Sequence, residues 1–327
     1  MAEADIIACL DAGAGAVVAK SVNESPAAAR QLNIAEYALV NAAGHEVSWS
    51  ENNGDETLFC RSGLAQETLD DWLAILDRAN RHAYGLDAHV IGSITVADAD
   101  PAAEIARRMS EVVSAVELNV GAPHGREATA VRQITDTDIV EHYTRTVRAK
   151  SDLPLIVKLP AQADNPVELA VAARKAGADA VTLMGRFNGF WPDVRTGAPL
   201  LGSWGAVGSG AMLPVSLYWV SKTAAADPDT PIIGTGGARS GADVARFLLS
   251  GARAVELASA VMLRGPSVLS DCVHQLRAVL EEGGFHRVAD TIGHAVGQAH
   301  SYVDIPEQDK PVRAWRDTDR WAPQGQP

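Results

Sequence analysis

The 327-residue sequence lacks the features of a nucleic-acid-binding or membrane protein. It has 28 basic against 41 acidic residues, a formal net charge of −13, and no run rich in lysine and arginine, so it offers no basic face for a phosphate backbone. No apolar stretch approaches the roughly 18 residues of a spanning helix, and the Met-Ala-Glu-Ala-Asp start lacks the basic region of a secretory signal. We therefore expect a cytoplasmic protein with neither kind of partner.

Cysteine is scarce as well. Cys9, Cys60 and Cys272 are too few and too scattered for a disulfide framework, a structural zinc site or an iron–sulfur cluster, so we expect no metal site. In contrast, 47% of the residues are hydrophobic, enough to bury a large core, which excludes general disorder.

What the sequence does contain is an alternation of short β-branched runs with longer segments of helical periodicity, which is typical of βα units and a parallel sheet. The predicted strands are 16–20, 89–94, 115–120, 155–159, 180–184, 231–235 and 254–258. The predicted helices are 66–83, 101–113, 135–150, 166–176, 214–226, 241–250 and 266–283. Left-handed glycines are expected where helices give way to strands, at Gly15, Gly177 and Gly251. We predict one domain over residues 1–300, with a strand-rich inserted lid at 35–65, followed by a C-terminal arm at 301–327.

Two glycine and small-residue motifs suggest a phosphate site. The segment Pro231-Ile-Ile-Gly-Thr-Gly-Gly237 runs from a strand through glycines into a helix, and Val255-Glu-Leu-Ala-Ser-Ala260 ends the next strand in small residues. In (β/α)₈ barrels the loops after strands seven and eight often hold phosphate. The alternative is that these glycines serve only to make a tight turn.

Two lysines interrupt apolar strands, Lys158 in Leu155-Ile-Val-Lys-Leu-Pro160 and Lys20 in Val17-Val-Ala-Lys-Ser21. A lysine that lines a barrel needs an anionic or polar partner, and two that converge would suit a delocalised anion. Asn119 ends another strand and precedes a Gly/Pro loop that carries His124. The alternative for these last two is a polar strand end and a surface histidine.

In order along residues 10–295, these motifs resemble the dihydroorotate dehydrogenase superfamily: Ala-Lys-Ser, Glu-Leu-Asn-Val-x-x-Pro, Val-Lys-Leu-Pro, Gly208-Ser-Gly210, Ile-Ile-Gly-Thr-Gly-Gly and Leu263-Arg-Gly-Pro266. The Pro123-His124-Gly125 turn is similar to the barrel domain of dihydropyrimidine dehydrogenase. The resemblance implies a (β/α)₈ TIM barrel that binds FMN and moves a hydride between flavin N5 and a small cyclic substrate.

The resemblance also implies a set of site residues. The flavin phosphate would rest on Gly208, Ser209, Gly210, Gly236, Gly237, Ala258 and Ser259. The flavin ring would contact Lys20, Ser21, Asn119 and Lys158, where a cation stabilises the reduced, anionic flavin. The substrate would contact Cys60, Gly63, Leu64 and Met184.

The chain departs from the family in its proton-transfer group. Family members carry a cysteine or serine where this chain has Ala122, and a methyl group cannot move a proton. His124 is the candidate replacement, with Cys60 or Arg61 as weaker ones. Of the family's amide ligands only Asn119 is clearly kept, so we expect a substrate other than dihydroorotate. A more apolar ligand is suggested by Met184, Phe187, Phe190 and Trp191. The alternative is that these four residues form core beneath a lid.

The family's first strand has no counterpart, because the chain starts at the helix that follows it. We expect an incomplete or irregular first βα unit. The gap would be closed by residues upstream of Met1, by another segment such as the tail or residues 35–55, or by a partner subunit.

Three hypotheses follow. The first is an FMN-dependent oxidoreductase acting on a C–C or C–N bond, a homodimer through residues 212–226 and the tail, with a separate electron acceptor because no nicotinamide fingerprint is present. The second is a redox-inactive barrel that is a structural or regulatory partner of another flavoenzyme. The third is an aldolase or isomerase with Lys158 as a Schiff base.

Overall fold

A parallel sheet surrounded by helices organises the molecule. The computed structural model describes residues 1–23, 33–95, 98–121 and 134–309. The strands are β1 Ala16–Val18, β2 Glu36–Val40, β3 Glu46–Val47, β4 Thr57–Arg61, β5 His89–Thr95, β6 Ala115–Asn119, β7 Leu155–Lys158, β8 Ala180–Leu183, β9 Phe187–Gly189, β10 Gly205–Gly208, β11 Ile232–Thr235 and β12 Ala252–Glu256. The helices are α1 Glu3–Asp11, α2 Leu69–Tyr84, α3 Ala99–Met109, α4 Thr137–Arg148, α5 Pro166–Lys175, α6 Leu213–Ala226, α7 Gly241–Leu249, α8 Ser259–Arg264 and α9 Val268–Glu282.

Seven parallel strands form the main sheet in the order β1-β5-β6-β7-β8-β11-β12. Chain order and sheet order agree, and helices separate the strands, which is the connectivity of a TIM barrel. The predicted α/β barrel is therefore confirmed, and each of the seven predicted strands matches one strand of this sheet. Among the described residues, the sheet's two edge strands, β1 and β12, each pair on one side only. Within that part of the chain an open seam thus lies where an eighth strand would complete the cylinder, in agreement with the expected irregular first unit.

The strands that were expected in the inserted segment form a second sheet. Its order is β3-β2-β4-β10-β9, all antiparallel, so three strands of residues 35–65 pair with two strands that follow β8. This sheet covers the end of the barrel at which the parallel strands terminate, because β9 and β10 directly follow β8 in the chain.

Burial on the outer face of the main sheet follows from the periodicity of the helices. In α2 the buried residues Trp72, Leu76, Ala79 and Ala83 recur at three- and four-residue spacing and face the sheet. Each fully buried leucine-sized side chain stabilises the fold by about 1.5–3 kcal/mol.

The helix ends agree with the sequence in most cases. The side chains of Asn165 and Ser240 accept hydrogen bonds from the first turns of α5 and α7. Gly177 and Gly251 adopt φ of 107° and 106°, as predicted. The prediction for Gly15 is wrong, because the left-handed residue that ends α1 is Gly13, with φ of 92°. The chain leaves this helix two residues earlier than the repeated Ala-Gly-Ala phrase suggests.

The predicted C-terminal arm is described only at its start. Residues 301–309 are exposed and contain one short turn of 3₁₀ helix at Tyr302–Asp304. Trp315 and Trp321 lie outside the described residues, so the packing of the arm stays a prediction.

Gly234 of β11 allows a close contact that tests the packing of this sheet. A Cβ on Gly234 would lie 2.3 Å from Cδ1 of Phe247, which is fully buried in α7. We expect Gly234→Ala to lower the free energy of unfolding by about 1–3 kcal/mol, since the ring must move in a close-packed core. Gly297→Ala is the matched control, because a Cβ there meets nothing within 4 Å. Urea denaturation measures both, and equal stability of the two variants would contradict this packing.

Candidate functional site

A cavity of about 780 Å³ lies at the carboxyl ends of the parallel strands, between the barrel and the antiparallel sheet. Sites of TIM barrels gather at this end, and the volume is that of a small-molecule pocket. The predicted site residues on its wall are Lys20, Ser21, Cys60, Gly63, Leu64, Asn119, Lys158, Met184, Gly208, Gly236, Ala258 and Ser259. The cavity also extends into the open seam, where it reaches Cys9 on α1 and Cys272 on α9.

The barrel interior below this cavity is layered. Inward-facing apolar residues form a floor: Val18, Ile91, Ala115, Ile156, Ala180 and Ile233. Two residues further along the strands, the same face carries polar side chains, because successive side chains of a strand alternate between faces. This second layer is made of Lys20, Ser93, Glu117, Lys158, Thr182, Thr235 and Glu256. A bound ring would therefore meet a polar surface beneath it, with the apolar layer below that surface.

Lys158 is held by two carboxylates. Its Nζ lies 2.5 Å from Oε2 of Glu256 and 3.5 Å from Oε2 of Glu117. These carboxylates raise the pKa of Lys158 above its usual range, although burial acts the other way, so the amine stays protonated. The expected anionic partner of Lys158 is thus present within the chain. A protonated amine is a poor nucleophile, which argues against Lys158 as a Schiff base.

Glu117 is the most deeply buried charged group of the layer, with 2% of its side chain exposed. Burial raises its pKa to about 7; Lys158 opposes this rise, and the neighbouring Glu256 adds to it. The other oxygen of Glu117, Oε1, accepts a hydrogen bond of 3.1 Å from Ser93 Oγ, which lies 2.8 Å from Ser21 Oγ. A hydrogen-bonded chain thus runs from β1 to the carboxylates.

Lys20 is in a different situation. Burial lowers its pKa to about 8, and the guanidinium of Arg186 lowers it further. No carboxylate in the described part of the chain forms an ion pair with Lys20 or Arg186, and Arg186 donates a hydrogen bond to Ser62 Oγ. The two lysines thus face one cavity, as expected, but Lys158 is neutralised and Lys20 is the cation without a partner among the described carboxylates.

Asn119 ends β6 beside Lys158, with which it is aligned across the strands. Its side-chain oxygen accepts a hydrogen bond from the Gly121 N–H at 3.0 Å, so its NH₂ group is the donor available to a ligand. The sequence alone does not show that the NH₂ group of Asn119, rather than its side-chain oxygen, is available to a ligand.

The glycine loops are built for close approach of backbone. Gly236 and Gly237 adopt φ of 101° and 97°, and a Cβ on Gly236 would lie 2.5 Å from Ser216 Oγ. Ser216 Oγ is itself buried and has no hydrogen-bond partner in the described residues. A Cβ on Gly208 would come within 3.2 Å of Ser259 Oγ. Tight, polar, glycine-lined backbone of this kind fits a phosphate.

Three of the predicted phosphate residues lie behind this wall rather than on it. Ser209 is buried, and its Oγ accepts a hydrogen bond of 3.1 Å from Thr57 Oγ1. A Cβ on Gly210 would meet the guanidinium of Arg239, and a Cβ on Gly237 would meet the backbone of Leu213. These residues shape the loops that reach the cavity.

The predicted substrate residues lie on the opposite wall. Cys60 is on β4, and Met184, which is 1% exposed, follows β8. Phe187 also lines the cavity, whereas Phe190 and Trp191 are exposed and do not. The apolar character expected of the site thus comes from only two of the four residues that suggested it.

Ala122 and His124 lie outside the described residues, so the proton-transfer hypothesis stays a prediction. Sequence reasoning missed Glu256 and Arg186 and did not assign Glu117 a role. Glu117 could have been identified from its position two residues before Asn119, because residues two apart on a strand share a face, and both side chains therefore lie on one face of β6. Glu256 stands in the same relation to Ala258.

A flavin mononucleotide fits these residues. The polar layer supplies donors for a ring, the orphaned Ser216 hydroxyl lies beside the loop at Gly236, and the cavity is large enough for a ring system. Within residues 1–23, 33–95, 98–121 and 134–309 there is neither a cluster of three or more metal-ligating side chains nor a helix able to span a membrane.

Comparison with known proteins gives consistent matches. The family model for dihydroorotate dehydrogenase matches residues 49–280. The catalytic subunit of dihydroorotate dehydrogenase B (NAD(+)) from Pyrococcus abyssi is 30% identical over 288 residues, which cover 87% of this chain and 88% of the relative. The subunit of the same name from Pyrococcus furiosus is 32% identical over 225 residues, 68% and 74% of the two chains. That from Anoxybacillus flavithermus is 31% identical over 212 residues, 64% and 67%.

The environment of Lys20 predicts a stability penalty in the ligand-free protein. Since its folded pKa of about 8 lies below the ordinary 10.5, the penalty is full below pH 8 and falls as pH rises towards 10.5. We expect Lys20→Met to raise the free energy of unfolding at pH 7 by roughly 1–3 kcal/mol, after allowance for partial exposure, and by less at pH 10.

Lys222→Met, at an exposed position of α6, is the control and should change stability little at either pH. Urea denaturation at pH 7 and pH 10 measures the difference. A destabilised Lys20→Met at pH 7 would show that Lys20 has a stabilising partner that the described contacts do not include.

Proposed function

Because the chain belongs to the dihydroorotate dehydrogenase family, we propose that it is an FMN-dependent oxidoreductase acting on a small organic substrate other than dihydroorotate. The family is one of oxidoreductases. The proposal adds the cofactor, the hydride transfer at flavin N5 and the substrate class.

The observation that carries the proposal is the convergence of two kinds of feature on one cavity. Lys20, Asn119 and Lys158 lie on one part of its wall, and Gly208 and Gly236 lie on another. A ring with polar edges and a terminal phosphate requires both parts. A protein without a ligand gains nothing from a half-buried lysine such as Lys20, which has no carboxylate partner among the described residues and lowers the protein's stability.

The residues on the cavity wall would each contact a particular part of FMN or of the substrate. Bound FMN would supply the hydride acceptor at N5. Gly208, Gly236 and Ser259 would bind the phosphate through backbone and hydroxyl donors, while Asn119 would donate its NH₂ group to the ring or the substrate. Lys20 would bind an oxygen atom of the ring edge or the substrate, since an ammonium group without a carboxylate partner attracts partial negative charge.

The substrate part of the proposal rests on what surrounds the cavity. Cys60 and Met184 lie where the family's asparagine ligands were expected, and Phe187 adds further apolar surface to the cavity wall. A pyrimidine ring would leave several of its polar groups unpaired there, and sites reject such ligands by large factors. A proton, where the reaction needs one moved, would pass to His124 or to water, since Ala122 cannot accept it.

The electron acceptor would be supplied by a second protein. The relatives are named as catalytic subunits, and their names include NAD(+). This chain has no nicotinamide fingerprint and no cysteine cluster for an iron–sulfur relay. We propose a separate electron-transfer partner beside the homodimer expected from the family.

A redox-inactive role beside another flavoenzyme is the second candidate. The open seam between β1 and β12 favours it, because two unpaired strand edges are a surface that another chain can cover. FMN binding separates the two candidates, since an inactive scaffold has no need to bind FMN.

The first test is flavin binding. We expect the purified chain to bind FMN at least tenfold more tightly than riboflavin, because the phosphate contacts the glycine loops. Ser259→Asp should weaken FMN binding by tenfold or more relative to the unsubstituted chain, because the added carboxylate repels the phosphate. A tenfold change corresponds to about 1.4 kcal/mol. Riboflavin has no phosphate, so its binding should be unchanged. Ser267→Asp, an exposed site outside the cavity, is the control. Fluorescence titration measures both ligands, and failure to bind FMN would exclude the proposed enzyme.

The second test concerns the substrate. With FMN bound, we expect dithionite to bleach the flavin absorption anaerobically and dihydroorotate to leave it unbleached over the same period. The reason is the loss of amide ligands around Met184. Stopped-flow absorption at the flavin maximum is the measurement. Rapid bleaching by dihydroorotate would overturn the substrate assignment while leaving the cofactor assignment in place.

A further inference from the structure

The buried group Glu117–Lys158–Glu256 contains more negative charge than positive charge. Lys158 contributes one positive charge, and the two carboxylates lie 3.5 Å and 2.5 Å from its Nζ. With both carboxylates ionised the group has a net charge of −1, and with one of them protonated it is neutral. Only 17% of the Lys158 side chain and 19% of the Glu256 side chain are exposed, so water screens this charge poorly.

We propose that this group is a proton-coupled counter-charge to the flavin, in which Glu117 takes up a proton when the flavin is reduced. The inference rests on the proposed function and deepens it. If neither carboxylate took up a proton, the three side chains would carry a net charge of −1 beneath the flavin ring. That charge would oppose the negative charge that the ring gains on reduction.

The geometry identifies Glu117, rather than Glu256, as the carboxylate that gains the proton. Glu117 is the deeper of the two and lies farther from the ammonium group, so its negative charge is the less compensated. The groups that face it are Ser93 from β5, Lys158 from β7 and Glu256 from β12. Burial raises the pKa of Glu117 to about 7, so the group can change its protonation state near neutral pH.

With FMN bound, oxidation of the substrate would break one of its C–H bonds, and the flavin would accept that hydrogen with its electron pair as a hydride. The substrate's second proton would pass to water or to His124, so that the substrate is oxidised and the flavin reduced. The reduced flavin then has one more negative charge. One further proton from solvent forms an O–H bond on Glu117, and the net charge of the ring and the three side chains is unchanged. The Ser21–Ser93 hydroxyl pair, which reaches Glu117 Oε1, is a route for that proton.

The sign of the pH dependence follows. Negative charge on the reduced flavin raises the pKa of Glu117 above the value of about 7 that it has otherwise. Between these two pKa values, reduction takes up two protons for two electrons rather than one. Above about pH 7 the midpoint potential should therefore fall about twice as steeply with pH as it does below.

The first arm of the test uses the chain without flavin. Carboxyl-carbon NMR of protein labelled at glutamate should show a resonance that titrates near pH 7 and is missing from Glu117→Gln. Glu256→Gln should lower the midpoint of that titration, since it removes the neighbouring negative charge. Thr182→Val, a buried and uncharged site in the same layer, should leave it unchanged. A Glu117 that titrates near pH 4, or one that does not respond to Glu256→Gln, would overturn the shared proton.

The second arm uses the chain loaded with FMN. Dye-linked potentiometric titration should give the steep segment above pH 7 in the wild type and in Thr182→Val, and a single shallow slope in Glu117→Gln. Persistence of the steep segment in Glu117→Gln would overturn the proposal, because the proton would then belong to another group. If the chain does not bind FMN, the proposed function and the coupling both fail, and the first arm still reports whether the three side chains share a proton.

Discussion

Burial of charge inside the barrel is the constraint on which the site depends. A cylinder of parallel strands ordinarily fills its interior with branched apolar side chains, and this chain does so only for the first layer. The next layer contains two lysines and two glutamates: Glu117, Lys158 and Glu256 end short strands, and Lys20 lies two residues after β1. Such a layer destabilises an isolated protein unless its charges are paired. Lys158 meets this requirement through Glu117 and Glu256, whereas Lys20 has no carboxylate partner among the residues that the structure describes. Lys158 and its two carboxylates thus form a preorganised part of the site, whereas the charge of Lys20 is available to a ligand.

The periodicity of the sequence was enough to predict the barrel because parallel strands buried on both faces and amphipathic helices differ strongly in pattern. Each of the seven strands was located from such runs. Gly15 was misassigned because a repeated phrase does not fix where a helix ends; the left-handed turn falls on whichever glycine the packing of α1 permits, and here that is Gly13. The antiparallel pairing of β4 with β10 joins residues about 148 positions apart, and nothing local in either segment specifies it.

The same distinction between local pattern and long-range pairing applies to the site. Lys158, Asn119 and Gly236 could be selected from the pattern of a single strand or loop, and all three lie on the cavity wall. Residues whose role depends on which strands are neighbours could not. Glu256 contacts Lys158 only because the sheet curls far enough to bring β12 opposite β7, although four strands separate Glu256 from Lys158 in the chain. Arg186 affects Lys20 because the segment after β8 folds across the barrel mouth towards β1.

The open seam and the charge layer are related. Lys20 lies two residues after β1, and Glu256 ends β12. The two edge strands of the sheet thus lead to a cation that has no carboxylate partner among the described residues and to a carboxylate, both at the cavity. Any chain that paired with these edges would change the access of water to both side chains. Burial already lowers the pKa of Lys20, and further loss of water would lower it more, whereas an anionic ligand would raise it again. Occupation of the seam and occupation of the cavity by an anion should therefore affect each other's free energy, with the protonation of Lys20 as the physical link between them.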